Sequence, residues 1–583
     1  MAFFNKILLL KKIPDIDMRY RSQLMGSLSL ILLLLLSCCS KENEPESTFT
    51  LTVNGGSGSG KYASGSLVSI AANNPSQGEI FEKWIGDIPS GLDANEAATT
   101  FVMPARHIEI TATYTTVSDP IAITIDKATR FQTMDGFGFF GGRDVWWSSP
   151  NENHFYSEAW LEKIVADLGI TIWRNELYPH NPPSGNNANR QDAHWEKQKP
   201  MVQALQAKAD QHGVDLKIIL TAWSAPGAFK WNATNYDWAG DQNAQRGPGE
   251  DGDYWPERDG GTLNPNKYQE YAQWWIEGIQ MYKDAGVDVY AVSMQNEPAF
   301  WQTTFNSTFY TTHWYAEMIN AVIPIIKAAH PEVKVFGSEN MLSMEGKDIN
   351  YPHFYHNTLK KDPTAMNYID ILAVHGYHDG VNASSGTELA KAWTNHKEQF
   401  SAPANKKAWM TETSGYVDSW EEADDTPGAF NLASDIQSAL LFGDVSGWVF
   451  WQGSRLGRID AYNLMDDLTV GKKYHASRNF YRFIRPGAVR VLAQSADEAI
   501  SVSAFEHAQN GSHTIVLINS ADTPGAVNIS MSGSEAPENY EMFISSATKN
   551  SESAGTVPAN QPIILPARAV VTLQAGGSVL GTE

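Results

Sequence analysis

The chain has 583 residues, more than one hydrophobic core serves, which predicts two to four domains. Its formal charge of −23 and pI near 5.1 argue against nucleic acid as a partner, because phosphate binding needs a basic patch. The 19 Trp are a rich supply of flat apolar faces with an N–H donor, suited to stacking on sugars as well as to core packing.

The one strongly apolar N-terminal stretch, Leu28 to Leu36, follows Arg19 and Arg21 and is too short to span a bilayer comfortably. It fits the apolar region of a secretory signal. The sequence Leu35-Leu36-Ser37-Cys38-Cys39-Ser40-Lys41-Glu42 resembles a bacterial lipobox, so residues 1–39 are expected to be a lipoprotein signal, with Cys38 or Cys39 lipidated. The acidic residues just downstream look like the surface-export tail of Bacteroidetes lipoproteins. The expected location is the outer membrane and cell surface, beside other glycan-uptake proteins, with periplasmic or secreted as alternatives. Membrane contact is expected only through the lipid anchor. Met18 and Met25 are alternative starts, and with no further cysteine the chain has no disulfides.

Residues 40–47 read as a polar linker, and 48–116 as a small all-β module in which period-two alternation is broken by Gly, Asn and Pro. Phe81-Glu82-Lys83-Trp84-Ile85-Gly86-Asp87, Phe101 to Ala105 and Ile108 to Tyr114 resemble a bacterial surface module that acts as a spacer. Gly55 to Lys61 mimics a phosphate-binding loop, but Tyr62 stands where a Ser or Thr should ligate magnesium, so it reads as a flexible turn.

From Thr133 onward, apolar β-like runs alternate with helical stretches, the pattern of a parallel sheet. Eight runs are predicted: Met134 to Phe139, Thr171 to Leu177, Leu216 to Trp223, Val287 to Gln295, Val333 to Ser338, Ile369 to His375, Lys407 to Thr411 and Gly447 to Trp451. Eight runs predict a (β/α)8 TIM barrel over 133–485. After Arg485-Pro486-Gly487 the helical signal disappears. Residues 486–578 then alternate as an antiparallel β-sandwich, to which 121–132 adds a strand.

Two runs stop at a glutamate: Tyr290 to Pro298 contains Glu297, and Ala408 to Thr413 contains Glu412. In a parallel barrel the strand ends at the C-terminal face carry the chemistry. A lone glutamate there would cap a helix or pair with an arginine; two suggest a carboxylate pair, which glycoside hydrolysis requires.

Phe131-Gln132-Thr133-Met134-Asp135-Gly136-Phe137-Gly138, Trp223-Ser224-Ala225-Pro226, Ser293-Met294-Gln295-Asn296-Glu297-Pro298, Trp409-Met410-Thr411-Glu412 and Phe483-Ile484-Arg485-Pro486-Gly487 together resemble glycoside hydrolase family 30. The resemblance implies a (β/α)8 barrel with an attached β-sandwich that cleaves β-linked glycans with retention. It implies Glu297 as acid/base, Glu412 as nucleophile and Asn296 as a ligand of the sugar 2-hydroxyl. Arg174, ending the second run, is positioned to hold Glu412 ionised, the alternative being a structural ion pair. His375 and Tyr377, ending the sixth run, are candidates to orient the nucleophile or the sugar. Trp223 and Trp451 are candidates for the floor of the sugar site, or else barrel packing. Trp146, Trp147, Trp231, Trp238 and Trp301 fall in expected loops, where they are candidates for further subsites. Glu250-Asp251-Gly252-Asp253 lacks the ligand spacing of a calcium loop, and no metal or cofactor is expected.

The expected substrate is a cell-wall polysaccharide cut internally: xylan or glucuronoxylan, or a β-1,6-glucan or galactan. The glucuronoxylan-cleaving members of the family read a uronate with Arg-x-Tyr after the eighth strand. Here Arg455 matches the arginine, and Gly457 stands in place of the tyrosine. A catalytically silent, lipid-anchored glycan-binding protein, an exo-β-glycosidase and a structural adhesin are the alternatives.

Overall fold

The computed structural model describes residues 47–75, 79–116, 119–141, 156–178, 190–234, 245–247, 261–300, 307–346, 354–377, 388–455, 457–532 and 536–577. The chain divides after Thr116 into two compact units.

The first unit is all-β. A four-stranded sheet runs in the order Gly60–Ala63, Thr48–Asn54, Ile108–Thr116, Glu79–Gly86; a three-stranded sheet holds Gly56–Ser57, Leu67–Ala72 and Ala98–Val102. Alternate residues of both point into one core around Trp84, with Leu51, Ile70, Phe101 and Ile110. The stretch that mimics a phosphate loop is not a free turn but runs through the short strand Gly56–Ser57 into the strand Gly60–Ala63. Gly58, at φ 110°, has no room for a side chain, because a Cβ there would lie 2.6 Å from the Ser69 carbonyl.

The second unit is built on a closed eight-stranded parallel barrel. Its strands are β1 (Gly136–Phe140), β2 (Ile172–Glu176), β3 (Lys217–Thr221), β4 (Val289–Ser293), β5 (Lys334–Met341), β6 (Ile371–Tyr377), β7 (Lys407–Ser414) and β8 (Val445–Phe450), with β8 pairing back onto β1. Strands buried on both faces are near-continuous apolar runs, which is why all eight are visible in the sequence. Ile172, Ile219, Ala291, Phe336, Ile371, Ala373, Trp409 and Val449 fill the barrel interior. Trp409 fits because the neighbouring strand carries Gly447, where a Cβ would lie 2.7 Å from the indole.

Several strands run further than the apolar pattern predicts, β5 and β7 by the most polar residues. β5 continues past Ser338 through Glu339 to Met341, and β7 continues past Glu412 to Ser414. In both, the ladder persists after polar residues begin, because the barrel mouth buries polar side chains as completely as its middle buries apolar ones. Each of these strands also contains a register shift. On β5 the pairs step from Ser338↔Ala373 to Asn340↔Val374, so Glu339 has no opposite number. On β7 they step from Val374↔Met410 to His375↔Glu412, so Thr411 is passed over. Such bulges re-aim the side chains beside them.

The chain enters the barrel from a long strand, Ile121–Thr133, and returns to its partners after Gly487. Together they form a nine-stranded sheet whose outermost strands are Asn550–Pro558 and Ile563–Leu565. The pairing is antiparallel except where Ile121–Thr133 runs parallel to Gly525–Ser532. Tyr540 and Leu565 lie toward opposite ends of the strand order yet share one buried cluster, so the sheet curls over its own core as a sandwich does. Its outer face joins the barrel core through Phe505, Val516, Ile518 and Val570.

Candidate active site

The C-terminal strand ends converge on one buried charged cluster, with Arg174 of β2 at its centre. The Arg174 side chain is 0% exposed. Its Nη1 donates to Glu412 Oε2 at 2.5 Å, and its Nη2 donates to Asn296 Oδ1 at 2.8 Å and Glu339 Oε1 at 2.9 Å. Nε donates to Thr221 Oγ1 at 3.2 Å, at the end of β3. The planar guanidinium fork suits this task, since it offers several donors in fixed directions.

Glu297 sits just beyond β4 on a segment braced from several sides. The Asn296 amide donates to the Ala222 carbonyl at 2.8 Å, Gln295 Nε2 to the Trp223 carbonyl at 2.8 Å, and the Tyr271 hydroxyl to the Met294 carbonyl at 2.7 Å. Glu297 itself has φ 43°, in the left-handed region that non-glycine residues rarely occupy. The bracing holds that conformation and turns the carboxyl toward β6. There His375 Nδ1 meets Glu297 Oε1 at 2.9 Å, while its Nε2 lies 3.4 Å from Glu339 Oε1. Two residues further along β6, the Tyr377 hydroxyl donates to Glu412 Oε1.

One side of the cluster is aromatic. Phe140 stacks on Trp451 with centroids 4.3 Å apart, and Trp223 lies 5.2 Å from Phe140 and 5.8 Å from Trp451. Arg174 Cζ stands 4.7 Å from the centre of the Trp223 ring. Trp223 thus packs on two sides: it backs the central cation and presents the rest of its ring to the other aromatics.

These surroundings divide the two glutamates. Burial pushes the Glu297 carboxyl up, and the charge of Glu412 adds to this; the hydrogen bond with His375 opposes it. Glu412, by contrast, takes a guanidinium and a phenol. Burial would depress His375, yet the charge of Glu412 and the bonds to Glu297 and Glu339 outweigh it and raise the imidazole to about 9. Burial would likewise raise Glu339, but the Arg174 charge and His375 hold it below the usual carboxylate range.

Among the described residues, Glu297, His375 and Glu412 are the one group whose potential ligand atoms, all within 4.8 Å of one another, could share a metal ion. In this arrangement Arg174 Nη1 stands on Glu412 Oε2 and His375 Nδ1 on Glu297 Oε1.

Arg174, Asn296, Glu297, His375, Tyr377 and Glu412 therefore form one connected network, with Trp223 and Trp451 beside it. Arg455 lies in the loop that follows β8. It donates to Asp460 Oδ2 at 3.0 Å, within its own loop, and Arg458 donates to the same oxygen at 3.1 Å. Trp231 is half-buried on the strand Lys230–Thr234, whereas Trp146, Trp147, Trp238, Trp301, the Glu250 to Asp253 stretch, Cys38 and Cys39 lie outside the described residues. Sequence reasoning missed Glu339 and Phe140. Glu339 obeys the same strand-end rule that found Glu297 and Glu412, since it follows the apolar run Val333 to Ser338, and Phe140 is the residue after the first run.

Residues 185–454 match the Glycosyl hydrolase family 30 TIM-barrel domain, and residues 48–118 match a Divergent InlB B-repeat domain. The chain is 28% identical over 296 residues to glucuronoxylanase XynC of Bacillus subtilis (strain 168), covering 49% of this chain and 61% of that one. It is 24% identical over 337 residues to endo-1,6-beta-D-glucanase neg1 of Aspergillus fumigatus, covering 54% and 61%. The chain thus spans about three fifths of the length of these relatives. Its fold is shared with the GH30 endoxylanase of Clostridium papyrosolvens C71, at a TM-score of 0.57 and 19% identity over 78% of this chain and 100% of that one. With the barrel, the appended sheet and the strand-end motifs in place, the second unit is similar to glycoside hydrolase family 30, whose barrel-domain model it matches over residues 185–454.

Proposed function

We propose that this chain is a retaining β-glycoside hydrolase that cuts a β-linked polysaccharide internally. The observation that carries the reading is the approach of Glu297 and Glu412, whose nearest oxygens lie within 4.8 Å. Retaining enzymes need carboxyls about 5–5.5 Å apart so that one attacks directly, whereas inverting enzymes leave about 6.5–9.5 Å for a water.

In the first step Glu297 gives its proton to the glycosidic oxygen while Glu412 attacks the anomeric carbon from the opposite face. The leaving chain departs as an alcohol and the glycosyl group becomes an ester of Glu412. In the second step Glu297, now a carboxylate, takes a proton from water as that water attacks the same carbon. Glu412 leaves as a carboxylate, and two inversions restore the β configuration. The raised Glu297 carboxyl supports the first step. Once Glu412 is esterified its charge is gone, which removes one cause of that elevation and suits Glu297 to the second step. The amide oxygen of Asn296 is taken by Arg174, which leaves its NH2 group for the sugar 2-hydroxyl.

Similarity to a glucuronoxylanase and an endo-1,6-β-D-glucanase supports a xylan bearing acidic side groups or a β-1,6-glucan as substrate, and β-1,6-galactan is a third candidate. Pairing of Arg455 with Asp460 favours a loop-holding role for that arginine and lowers the weight of acidic xylan. The test is a screen of the purified chain on xylan, glucuronoxylan, β-1,6-glucan and arabinogalactan, with product sizing and proton NMR in the first minutes. The first-formed sugar is expected to be the β anomer. An initial α product would end the double-displacement reading.

We also propose export as a lipoprotein, on the strength of Leu28 to Leu36 followed by Cys38 and Cys39. Expression with radiolabelled palmitate should label the chain, and replacing both cysteines by alanine should abolish the label; labelling that survives would refute the anchor.

A further inference from the structure

The mechanism above uses two carboxylates, yet the site holds a third that no substrate can reach. Glu339 is 0% exposed, occupies the extra position of the β5 bulge and has φ 62°. A bulge and a left-handed glutamate together are a costly way to place a side chain. The result is that one oxygen, Oε1, meets both cations of the site: Arg174 Nη2 at 2.9 Å and His375 Nε2 at 3.4 Å. Each cation then reaches a catalytic carboxylate with its other arm. Arg174 Nη1 reaches Glu412, and His375 Nδ1 reaches Glu297.

The geometry points to Glu339 as a positioning residue that holds Arg174 and His375 in a fixed frame beside the two catalytic carboxyls and balances their charge, so that Glu297 can keep its proton. This rests on the hydrolase reading given above. The count is simple. With Glu297 protonated, two cations face two anions, Glu339 and Glu412, and the cluster is neutral. Without Glu339 the same state carries a surplus positive charge, and the neighbouring carboxyl relieves it by releasing its proton. A neutral residue at 339 therefore makes Glu297 a worse acid carrier at neutral pH, although residue 339 touches neither sugar nor water.

The ionisable groups that face Glu339 are few. Arg174 comes from β2 and His375 from β6. Tyr315 comes from the helix Thr312–Ala329, and burial, followed by the charge of Glu339, pushes its phenol up. Tyr377 and Glu412 complete the network through Arg174 and His375. On the far side of β5, His356 Nε2 accepts from the Ser338 amide at 3.1 Å, and burial pushes that imidazole down, so it adds no charge there at neutral pH.

The test is Glu339→Gln, which preserves shape and an acceptor for Arg174 while removing the charge, beside Glu339→Asp, which restores the charge on a shorter arm. The alkaline limb of kcat/KM reports loss of the acid's proton in the free enzyme. In Glu339→Gln that limb is expected to move to lower pH by roughly one unit, as a nearby charge does, and in Glu339→Asp to return most of the way. A structural role alone would lower the rate at every pH in both variants and leave the limb where it was, which would overturn the proposal. Two measurements need no substrate. In the intact chain labelled with 13Cδ-glutamate, the Glu297 signal, identified by its loss in Glu297→Gln, should titrate at lower pH in Glu339→Gln. In the 15N-histidine spectrum of the wild type, His375 should carry both ring protons at pH 7.5, whether or not Glu339→Gln folds. A neutral His375 would overturn the proposal. The expected titrations in a protein that cleaves none of the glycans would refute the hydrolase reading and leave the charge frame standing.

Discussion

Glu412→Gln is expected to lose turnover on every substrate, by on the order of 10⁴-fold or more, because no other group in the site can form the covalent ester. Glu297→Gln is expected to lose ~10²–10⁴-fold on a polysaccharide, whose leaving group must be protonated. The two losses are distinguishable by leaving group. An aryl glycoside whose phenol is acidic departs unprotonated, so Glu297→Gln should make its glycosyl-enzyme nearly as fast as the wild type and then stall at hydrolysis, giving a burst of phenol. Glu412→Gln should give no burst on any leaving group. A burst from Glu412→Gln and none from Glu297→Gln would mean the two roles are exchanged. Near wild-type activity in either would mean that the pair is not the catalytic one. Because an amide keeps the size and one acceptor of the carboxyl, neither substitution should prevent folding.

The roles are readable from surroundings that the sequence only partly discloses. The apolar runs that stop near Glu297 and Glu412 are visible because a strand buried on both faces needs apolar residues until it reaches the mouth. Arg174 is visible for the same reason. Its pairing with Glu412 is expected from its strand end, but that His375 serves Glu297 is not. That depends on the register step that sets Glu412 opposite His375, and bulges have no residue signature here: Met410-Thr411-Glu412 reads like any strand end. Glu339 was hidden by the same effect. It follows the apolar run Val333 to Ser338 as the other two glutamates follow theirs, but only the bulge shows that it points inward. Phe140 was missed because Phe139 and Phe140 are equivalent as letters, while the pleat sends the first into the core beside Trp173 and the second onto Trp451. The side sheet was legible as alternation but not as topology. Its parallel pairing of Ile121 with Val527 joins residues on either side of the whole barrel, and no local pattern encodes a partner that distant.

Arg174 concentrates these dependencies, and its replacement should have the largest effect on the fold. Arg174→Ala leaves Glu339 and Glu412 buried without their guanidinium, a defect of about 3–5 kcal/mol in comparable buried pairs. A lower unfolding midpoint is therefore expected, assigned to the barrel by limited proteolysis. Arg174→Lys separates charge from shape. The ammonium restores a positive charge but has no planar fork, so it cannot donate to Glu412, Glu339, Asn296 and Thr221 in their present directions. Much of the stability should return. Activity should remain down on the order of 10²-fold, as when one preorganised donor is lost. If both arginine variants kept wild-type kcat/KM, Arg174 would be an ion pair of the scaffold, and the division of labour between the two glutamates would need another cause.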